Sequence, residues 1–448
     1  MMTEGVSDSA SPPARALPEG TEPGPAGGGR EDGPGEARAS SLPSSLGFAS
    51  TALCVGLLIL GAFWRFVDLD YPPTFSFDEH HFISNARNYM AGRADWNDHP
   101  PLGKLVLIPA MKVLGDCGLG WRLSSALAGL AIVVLSGLIA ARIFRARTVG
   151  LLTAAFVAAD GFFISYARTA LIDNPLTVWV YAALALMLYA RSLAWFAWAA
   201  VAIGLAVSTK WTGACVVLLA PIMLIRQRRS ALHVAWMFAL ASLVYLAISA
   251  AALLITHQPI SPAGMMRSNW HLLRHHAGFT VWDNSASSRW YTWPFLARPI
   301  VMHFARVGDA VRATSTLGNL LLWFGTTAAL AAALAGLARS LWRKLRARTS
   351  VATAHCREAL VIASMVALTL PFIVSNRQSY IFHYLGAYGL GLGLLASRVA
   401  AMGQRRPWVT LGFLLGVAGV SLLYVPLWTG AAITQRGFDL RLPFPGWR

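Results

Sequence analysis

The sequence predicts an all-α integral membrane protein that crosses the bilayer about eleven times, and three observations carry that prediction. Of its 448 residues, 56% are hydrophobic and only 13% charged, with a mean hydropathy of +0.53, a balance that excludes an ordinary set of soluble domains. Apolar runs recur at lengths near those needed to cross about 30 Å of hydrocarbon. Between them, Lys and Arg gather in alternate loops, as the positive-inside rule requires. The net charge of +17 does not mark a nucleic-acid partner, because the basic residues are short clusters between apolar runs and line no single soluble face. Topology signals and lipid phosphates explain it better, so membrane lipids are the expected surroundings.

Residues 1–45 are rich in Pro, Gly, Ser, Ala and Glu and carry almost no large apolar side chains. They cannot bury enough surface to offset ordering entropy, so they are expected to form a disordered cytoplasmic tail. The first apolar run follows that polar tail without a small-residue cleavage pattern, and is expected to be a retained helix. The runs are 46–66, 121–141, 149–166, 171–190, 194–209, 211–225, 231–256, 316–338, 358–375, 379–397 and 408–430. The fifth and sixth are short and are broken only by Ser208-Thr209-Lys210.

With the N-terminus cytoplasmic, the inside loops carry clusters such as Arg142/Arg145/Arg147, Arg226/Arg228/Arg229 and Arg339/Arg343/Lys344, whereas the short outside loops hold only Arg168, Lys210 and Arg377. This orientation puts the C-terminus outside, together with two long loops, 67–120 and 257–315. Loops of that length in a compact membrane protein are usually functional. The second holds four Trp, among them Trp282 and Trp290, five His and six Arg, and reads either as an interfacial aromatic belt or as a surface meeting an anionic ligand. Cys54, Cys117, Cys215 and Cys356 share no metal-type spacing, so neither a disulfide framework nor a thiolate site is expected.

The chemistry concentrates in the polar island from Phe75 to Lys104, which holds Asp78, Glu79, Asp95 and Asp98 in a chain with only 20 acidic residues. Ionised groups at a membrane surface persist where water, partners or substrate meet them. Ser76-Phe77-Asp78-Glu79 reads as a capping box opening a helix with Phe82, Ala86, Tyr89 and Met90 on one face. Glu79 can then reach back to the Ser76 N–H, while Asp78 stays free in a first turn that favours negative charge. Asp98-His99-Pro100-Pro101-Leu102-Gly103-Lys104 reads as an extended Pro-Pro segment leading into a helix, or as a turn at the bilayer surface. The Asp and His residues of the island match no exact ligand spacing for a divalent metal.

In order along the chain, Arg65-Phe66, Pro72-Pro73, Phe77-Asp78-Glu79-His80-His81-Phe82, His99-Pro100-Pro101-Leu102-Gly103-Lys104, Gly120-Trp121-Arg122, Ala167 to Asp173, Lys210-Trp211-Thr212-Gly213, Ser288 to Pro294 and Tyr380 to Leu385 resemble the protein O-mannosyltransferase family. The resemblance implies a C-type glycosyltransferase (GT-C) fold over 46–448. It also implies transfer of mannose, with inversion, from a polyprenyl-phosphate-mannose donor to Ser or Thr hydroxyls of secreted or membrane proteins at the extracytoplasmic face. Phosphate is a good leaving group when cations meet its charge, so a single displacement needs one general base and no dedicated acid.

By resemblance, Asp78 is the expected base with Glu79 beside it, and Arg122, Lys210, Arg377 and His383 are expected at the donor phosphate. His99, Lys104, Tyr380 and Trp290 are expected at the substrate. Each has a plainer reading: Arg122 as a headgroup contact, Lys210 as a helix cap, Arg377, Tyr380 and His383 as interfacial anchors. Arg168 and Asp173 read as a structural ion pair. No metal site and no cofactor is assigned, a divalent cation being left open. Only about 59 residues join the seventh and eighth spans, where the eukaryotic enzymes carry a large inserted domain, and this points to the shorter bacterial type in the cell membrane. Transfer of a sugar to lipid A or a cell-wall glycan would use the same groups. A lipid-linked sugar transporter is less favoured, since the ionisable groups cluster at one surface and no internal repeat is evident.

Overall fold

A helix in an apolar solvent satisfies its backbone internally, which is why apolar runs of this chain become helices. The structure is a computed structural model, and it describes residues 46–94, 98–226, 231–278, 286–347, 353–375 and 377–447. The expected tail, together with Asp95 and Trp282, lies outside the described residues. Residues 41–448 form one compact unit.

Each of the eleven apolar runs contains helix. The first is α1 (Phe48–Phe66), and the loop after it holds α2 (Glu79–Met90) and two short helices, α3 (Leu102–Leu105) and α4 (Ile108–Leu114). The second run is α5 (Gly118–Phe144), and the third is broken into α6 (Arg147–Ala159) and α7 (Gly161–Ala167). Next come α8 (Asp173–Tyr189), α9 (Leu193–Thr209), a 3-10 segment (Trp211–Leu219) running into α10 (Ala220–Arg226), and α11 (Ala231–Ile255). In the second long loop, α12 (Pro262–Gly278) precedes an antiparallel pair, β1 (Val301–Val307) and β2 (Ala310–Ser315). The chain closes with α13 (Leu320–Ala347), α14 (Thr353–Val374), α15 (Leu385–Arg405), α16 (Pro407–Thr429), β3 (Ile433–Thr434) and α17 (Gln435–Arg441). β3 pairs antiparallel with β2, giving a three-stranded sheet in the order β1-β2-β3.

Length alone does not establish eleven crossings. Among the described residues, seven helices are long and apolar enough to span, or eight when α6 and α7 are taken as one bent span. α8 and α9 have 17 residues each, about 26 Å at 1.5 Å per residue, slightly under the hydrocarbon thickness.

The break between α6 and α7 bends the pair by 61°, a feature that hydropathy does not reveal. It frees backbone groups inside the protein, and several of them find partners. Arg65, fully buried, donates to the carbonyls of Val157 (3.0 Å) and Ala158 (2.9 Å) at the end of α6. Asp160 accepts from the Phe162 N–H (2.9 Å) at the start of α7, and also from the Asn319 N–H (3.0 Å) and the Tyr388 hydroxyl (2.9 Å). An arginine and an aspartate thus replace water at a helix break, as buried non-helical backbone demands. At the other end of α7, Arg168 donates to the carbonyls of Trp64, Val67, Asp68 and Thr429, tying α7 to the ends of α1 and α16. The ion pair expected between Arg168 and Asp173 is therefore corrected: Arg168 is occupied by carbonyls, and Asp173 pairs with Lys210 at 3.0 Å.

Candidate active site

The Ser76–Glu79 turn and helix α2 place the acidic pair of the polar island on different errands. Glu79 is fully buried. Its Oε2 accepts from the Ser76 N–H at 2.8 Å, the reach-back half of a capping box, and its Oε1 accepts from the Ala170 N–H at 2.8 Å. Arg122 grips the same carboxylate in two places, at 2.7 and 2.8 Å, a bidentate geometry that makes a strong charge-assisted pair. The remaining Arg122 donors go to the carbonyls of Leu69, Asp70, Pro72 and Thr74.

Two expectations are corrected by this geometry. Arg122, wholly buried, has its guanidinium committed to one carboxylate and four carbonyls and does not face the cavity described below. Glu79 is likewise saturated, so its geometry is that of a strut joining α2, α5 and the α7–α8 turn.

Asp78 differs. It is the N-cap residue of α2 yet its side chain makes no capping hydrogen bond. Phe77 before it takes a left-handed backbone, φ 51°, that a bulky residue rarely adopts. The Phe77 N–H donates to the Met302 carbonyl (3.1 Å) and its ring packs edge-on against Phe382, 6.2 Å between centroids. Backbone strain of this sort persists where surrounding contacts over-determine it, and here it fixes the direction of the next carboxylate. That carboxylate lines a cavity of about 280 Å³ together with Asp98, His99, Asp173, Lys210 and Arg377. Burial raises the Asp78 pKa above the ordinary 3.8, against the opposing pull of His81, His80 and Lys210.

Lys210 and Arg377 are the cations in this wall. Lys210, at the end of α9, pairs with Asp173 and lies 5.2 Å from the centre of the Phe382 ring. Burial lowers the Arg377 pKa, with Asp98 acting to restore it. Tyr380 and His383 line the same cavity, and the His383 Nδ1 accepts from the Tyr380 N–H at 3.1 Å while its ring stacks on Phe372. His99 is almost fully buried between Phe82 and His276, and its Nδ1 has no hydrogen-bond partner. Burial, then the positive charges of Lys210 and Lys104, push the His99 pKa well below its usual value, which favours the neutral ring.

Two further expectations change. Lys104 is fully buried, and its ammonium donates to the carbonyls of His99 and Pro100, with Asp98 4.0 Å away. It shapes the Asp98-His99-Pro100 turn from behind and does not line the cavity. Trp290 is part-exposed and packs on Tyr291 away from the cavity. Its neighbour Trp293 is the residue that reaches inward, packing against His383 and Phe372 while its Nε1 donates to the Ser288 hydroxyl. The two differ in burial, which spacing alone did not separate. Among the described residues, no group of three or more His, Cys, Asp or Glu side chains is arranged to hold a metal ion.

On one side the cavity continues into an apolar groove: Asp173, Phe382 and His383 line both, and the groove's walls are Leu176, Val180, Leu368, Phe372 and Leu385. A site in which an under-solvated carboxylate shares a cavity with two cations, beside a hydrocarbon-lined groove, suits proton removal next to a departing anion that carries a lipid chain.

Two family models match the chain. One, described as dolichyl-phosphate-mannose-protein mannosyltransferase, matches residues 108–258, and the other, the C-terminal four-transmembrane region of protein-O-mannosyltransferase, matches 261–447. The Asp78 segment precedes both matches. Curated relatives include polyprenol-phosphate-mannose–protein mannosyltransferases of Mycolicibacterium smegmatis, 27% identical over 91% of this chain and 94% of the relative, and of Mycobacterium tuberculosis, 26% identical over 90% and 92%. Among solved structures, the Saccharomyces cerevisiae Pmt1-Pmt2 complex bound to its sugar donor superposes with a TM-score of 0.78, at 13% identity over 91% of this chain and 94% of that one. ArnT of Cupriavidus metallidurans bound to undecaprenyl phosphate gives 0.54, at 17% identity over 85% and 77%. At such identities these two speak for the GT-C fold.

Proposed function

The chain belongs to the protein O-mannosyltransferase family, and from that premise we propose that it moves mannose from a polyprenyl-phosphate-mannose donor to Ser or Thr hydroxyls of proteins, with Asp78 as the general base. The acceptor oxygen attacks the sugar C1 on the face opposite the phosphate. Its proton passes to the Asp78 carboxylate, the C1–O bond to phosphate breaks with inversion, and polyprenyl phosphate leaves against Lys210 and Arg377. The apolar groove that shares Asp173, Phe382 and His383 with this cavity offers the departing lipid a hydrocarbon-lined surface. The reaction so written needs no metal.

The observation that carries this reading is one cavity shared by Lys210, Arg377 and the carboxylate of Asp78, an N-cap residue whose side chain makes no capping hydrogen bond. Glu79 and Arg122 then act by holding the turn from which Asp78 projects. The relatives' names favour a protein acceptor over lipid A or a cell-wall glycan. The charge asymmetry of the loops supports an extracytoplasmic site in a bacterial cell membrane, with the N-terminus inside and the C-terminus outside.

Asp78→Asn is expected to lower transfer from a mannosyl-phosphate lipid to a Ser/Thr peptide by about a hundredfold or more, the scale of a general base. Because only the ionised carboxylate accepts a proton and burial raises its pKa, kcat/KM of the wild type should fall on acidification with a midpoint above the ordinary 3.8. Near-normal turnover by Asp78→Asn removes Asp78 from the mechanism.

A further inference from the structure

His99 stands in the wall of two cavities. One is the candidate active site. The other, about 530 Å³, shares His99 with it and is lined by α11, α12, Tyr89 and the Pro100-Pro101 turn. Its size is that of a genuine ligand site.

The chemistry of this second wall contrasts with the apolar groove. Alongside apolar side chains such as Leu253, Met265 and Leu272, it presents neutral hydrogen-bonding groups, among them Tyr245, Ser249, Thr256, Gln258 and Asn269, and among the described residues no carboxylate, with Arg267 as its permanent charge. The polar groups are also held in place. The Trp211 Nε1 donates to the Tyr245 hydroxyl at 3.2 Å, that hydroxyl donates to the Asn269 side-chain oxygen, and the Asn269 amide donates to the Met265 carbonyl at 2.8 Å. This chain locks α12 onto α11 and leaves a cavity with preset donors and acceptors. At the junction with the active site, the unpartnered Nδ1 of His99, a side chain more than nine-tenths buried, is a polar atom with its bonding capacity unspent, a state that costs free energy unless a ligand satisfies it.

A polyprenyl chain has less to offer such a wall: these side chains bond one another or nearby carbonyls, but the remaining lone pairs of their oxygens find no partner in hydrocarbon. A peptide offers a donor and an acceptor at nearly every residue. We propose that the cavity between α11 and α12 is the subsite for the acceptor protein, taking an extended, uncharged or mildly acidic segment that flanks the reacting Ser or Thr, and that the hydroxyl passes His99 to reach Asp78. This inference rests on the transfer reaction proposed above and adds to it a direction of entry and a rule of selection. The segment enters on the His99 side while the lipid donor lies on the Lys210 side. Arg267 makes Lys or Arg beside the acceptor Ser unfavourable.

The test uses the full chain in nanodiscs, polyprenyl-phosphate-mannose as donor, and two acceptors: a neutral Ser-containing peptide of about ten residues, and a blocked single serine. Ser249→Trp, which fills the cavity from α11, is expected to raise KM for the long peptide by about tenfold or more, a factor of ten being 1.4 kcal/mol. KM for the donor and transfer to the blocked serine should stay unchanged. A peptide with Lys two residues from the Ser should be poorer than its Asp counterpart by up to about fivefold, the range of an exposed charge pair. Arg267→Glu should reverse that order. In a readout independent of turnover, a benzophenone placed beside the Ser should crosslink to residues 245–256 or 264–272 of the wild-type protein.

A rise in donor KM that is equal with both acceptors would assign the cavity to the lipid and overturn the proposal. So would unchanged long-peptide kinetics, or crosslinks confined to other segments. Crosslinking at these residues without any mannosylated product would leave the peptide subsite standing and sink the transfer reaction instead.

Discussion

Asp78 and Glu79 are adjacent, equally acidic and set by their surroundings to opposite ends. Glu79 meets Arg122 twice, one N–H from Ser76 and one from Ala170, all in a dry interior, whereas Asp78 meets a cavity. Removing one partner of a buried pair costs about 3–5 kcal/mol because the other charge is left unpaired. Glu79→Gln is therefore expected to lower the thermal midpoint sharply, and Arg122→Ala likewise, with loss of activity following loss of folded protein. A Glu79→Gln protein that keeps the wild-type midpoint yet fails to turn over would return Glu79 to the chemistry. The same logic separates His99 from Lys104. The ammonium is spent on two carbonyls and the imidazole nitrogen is not, so the first shapes the turn and the second is available to a ligand.

The broken span shows what an element can conceal. Hydropathy over 149–166 reads as a single run, but Asp160 sits within it, and an acid at that depth needs donors. The bend supplies them, and it also needs Gly161, because a Cβ there would overlap the indole of Trp428. Gly161→Ala is expected to destabilise by about 1–3 kcal/mol, the usual cost of overpacking. Shrinking the ring in the double variant Gly161→Ala/Trp428→Leu should recover part of it, a coupling that a double-mutant cycle measures. A neutral Gly161→Ala would show that α7 shifts freely against α16 and that the break is not fixed by this contact. In the second long loop, the sequence shows four Trp without saying which faces inward. Trp293 does so because its Nε1 finds Ser288 and its carbonyl accepts from Trp323, contacts that lie five and thirty residues away.

For the whole molecule, the decisive question is which side of the bilayer holds Asp78. The cysteines of the chain answer it without engineering. Cys117, at the start of α5 near the Asp78 cavity, and Cys356, in the first turn of α14 at the far end, are both exposed. Cys54 and Cys215 lie within apolar segments. A membrane-impermeant maleimide should label Cys117 in intact cells and reach Cys356 only after permeabilisation. The reverse pattern would place the carboxylate on the cytoplasmic side, out of reach of a secreted acceptor.

Composition and hydropathy by themselves determined that the chain is a multi-pass helical membrane protein. The ordered motifs pointed to its family, because those signals are local and each window of sequence carries its own share. They also singled out Asp78, Lys210, Arg377 and His383, which tertiary structure brings into one cavity from segments some 300 residues apart. Only that structure decided that Arg122, Glu79 and Lys104 face inward as struts, that one span is bent, and that a second cavity abuts His99. The physical reason is that an arginine, a glutamate or a lysine reads the same in sequence whether its charge meets a substrate or a buried partner. The choice is made by hydrogen-bond partners up to 91 residues away along the chain, and partners at that distance leave no local pattern.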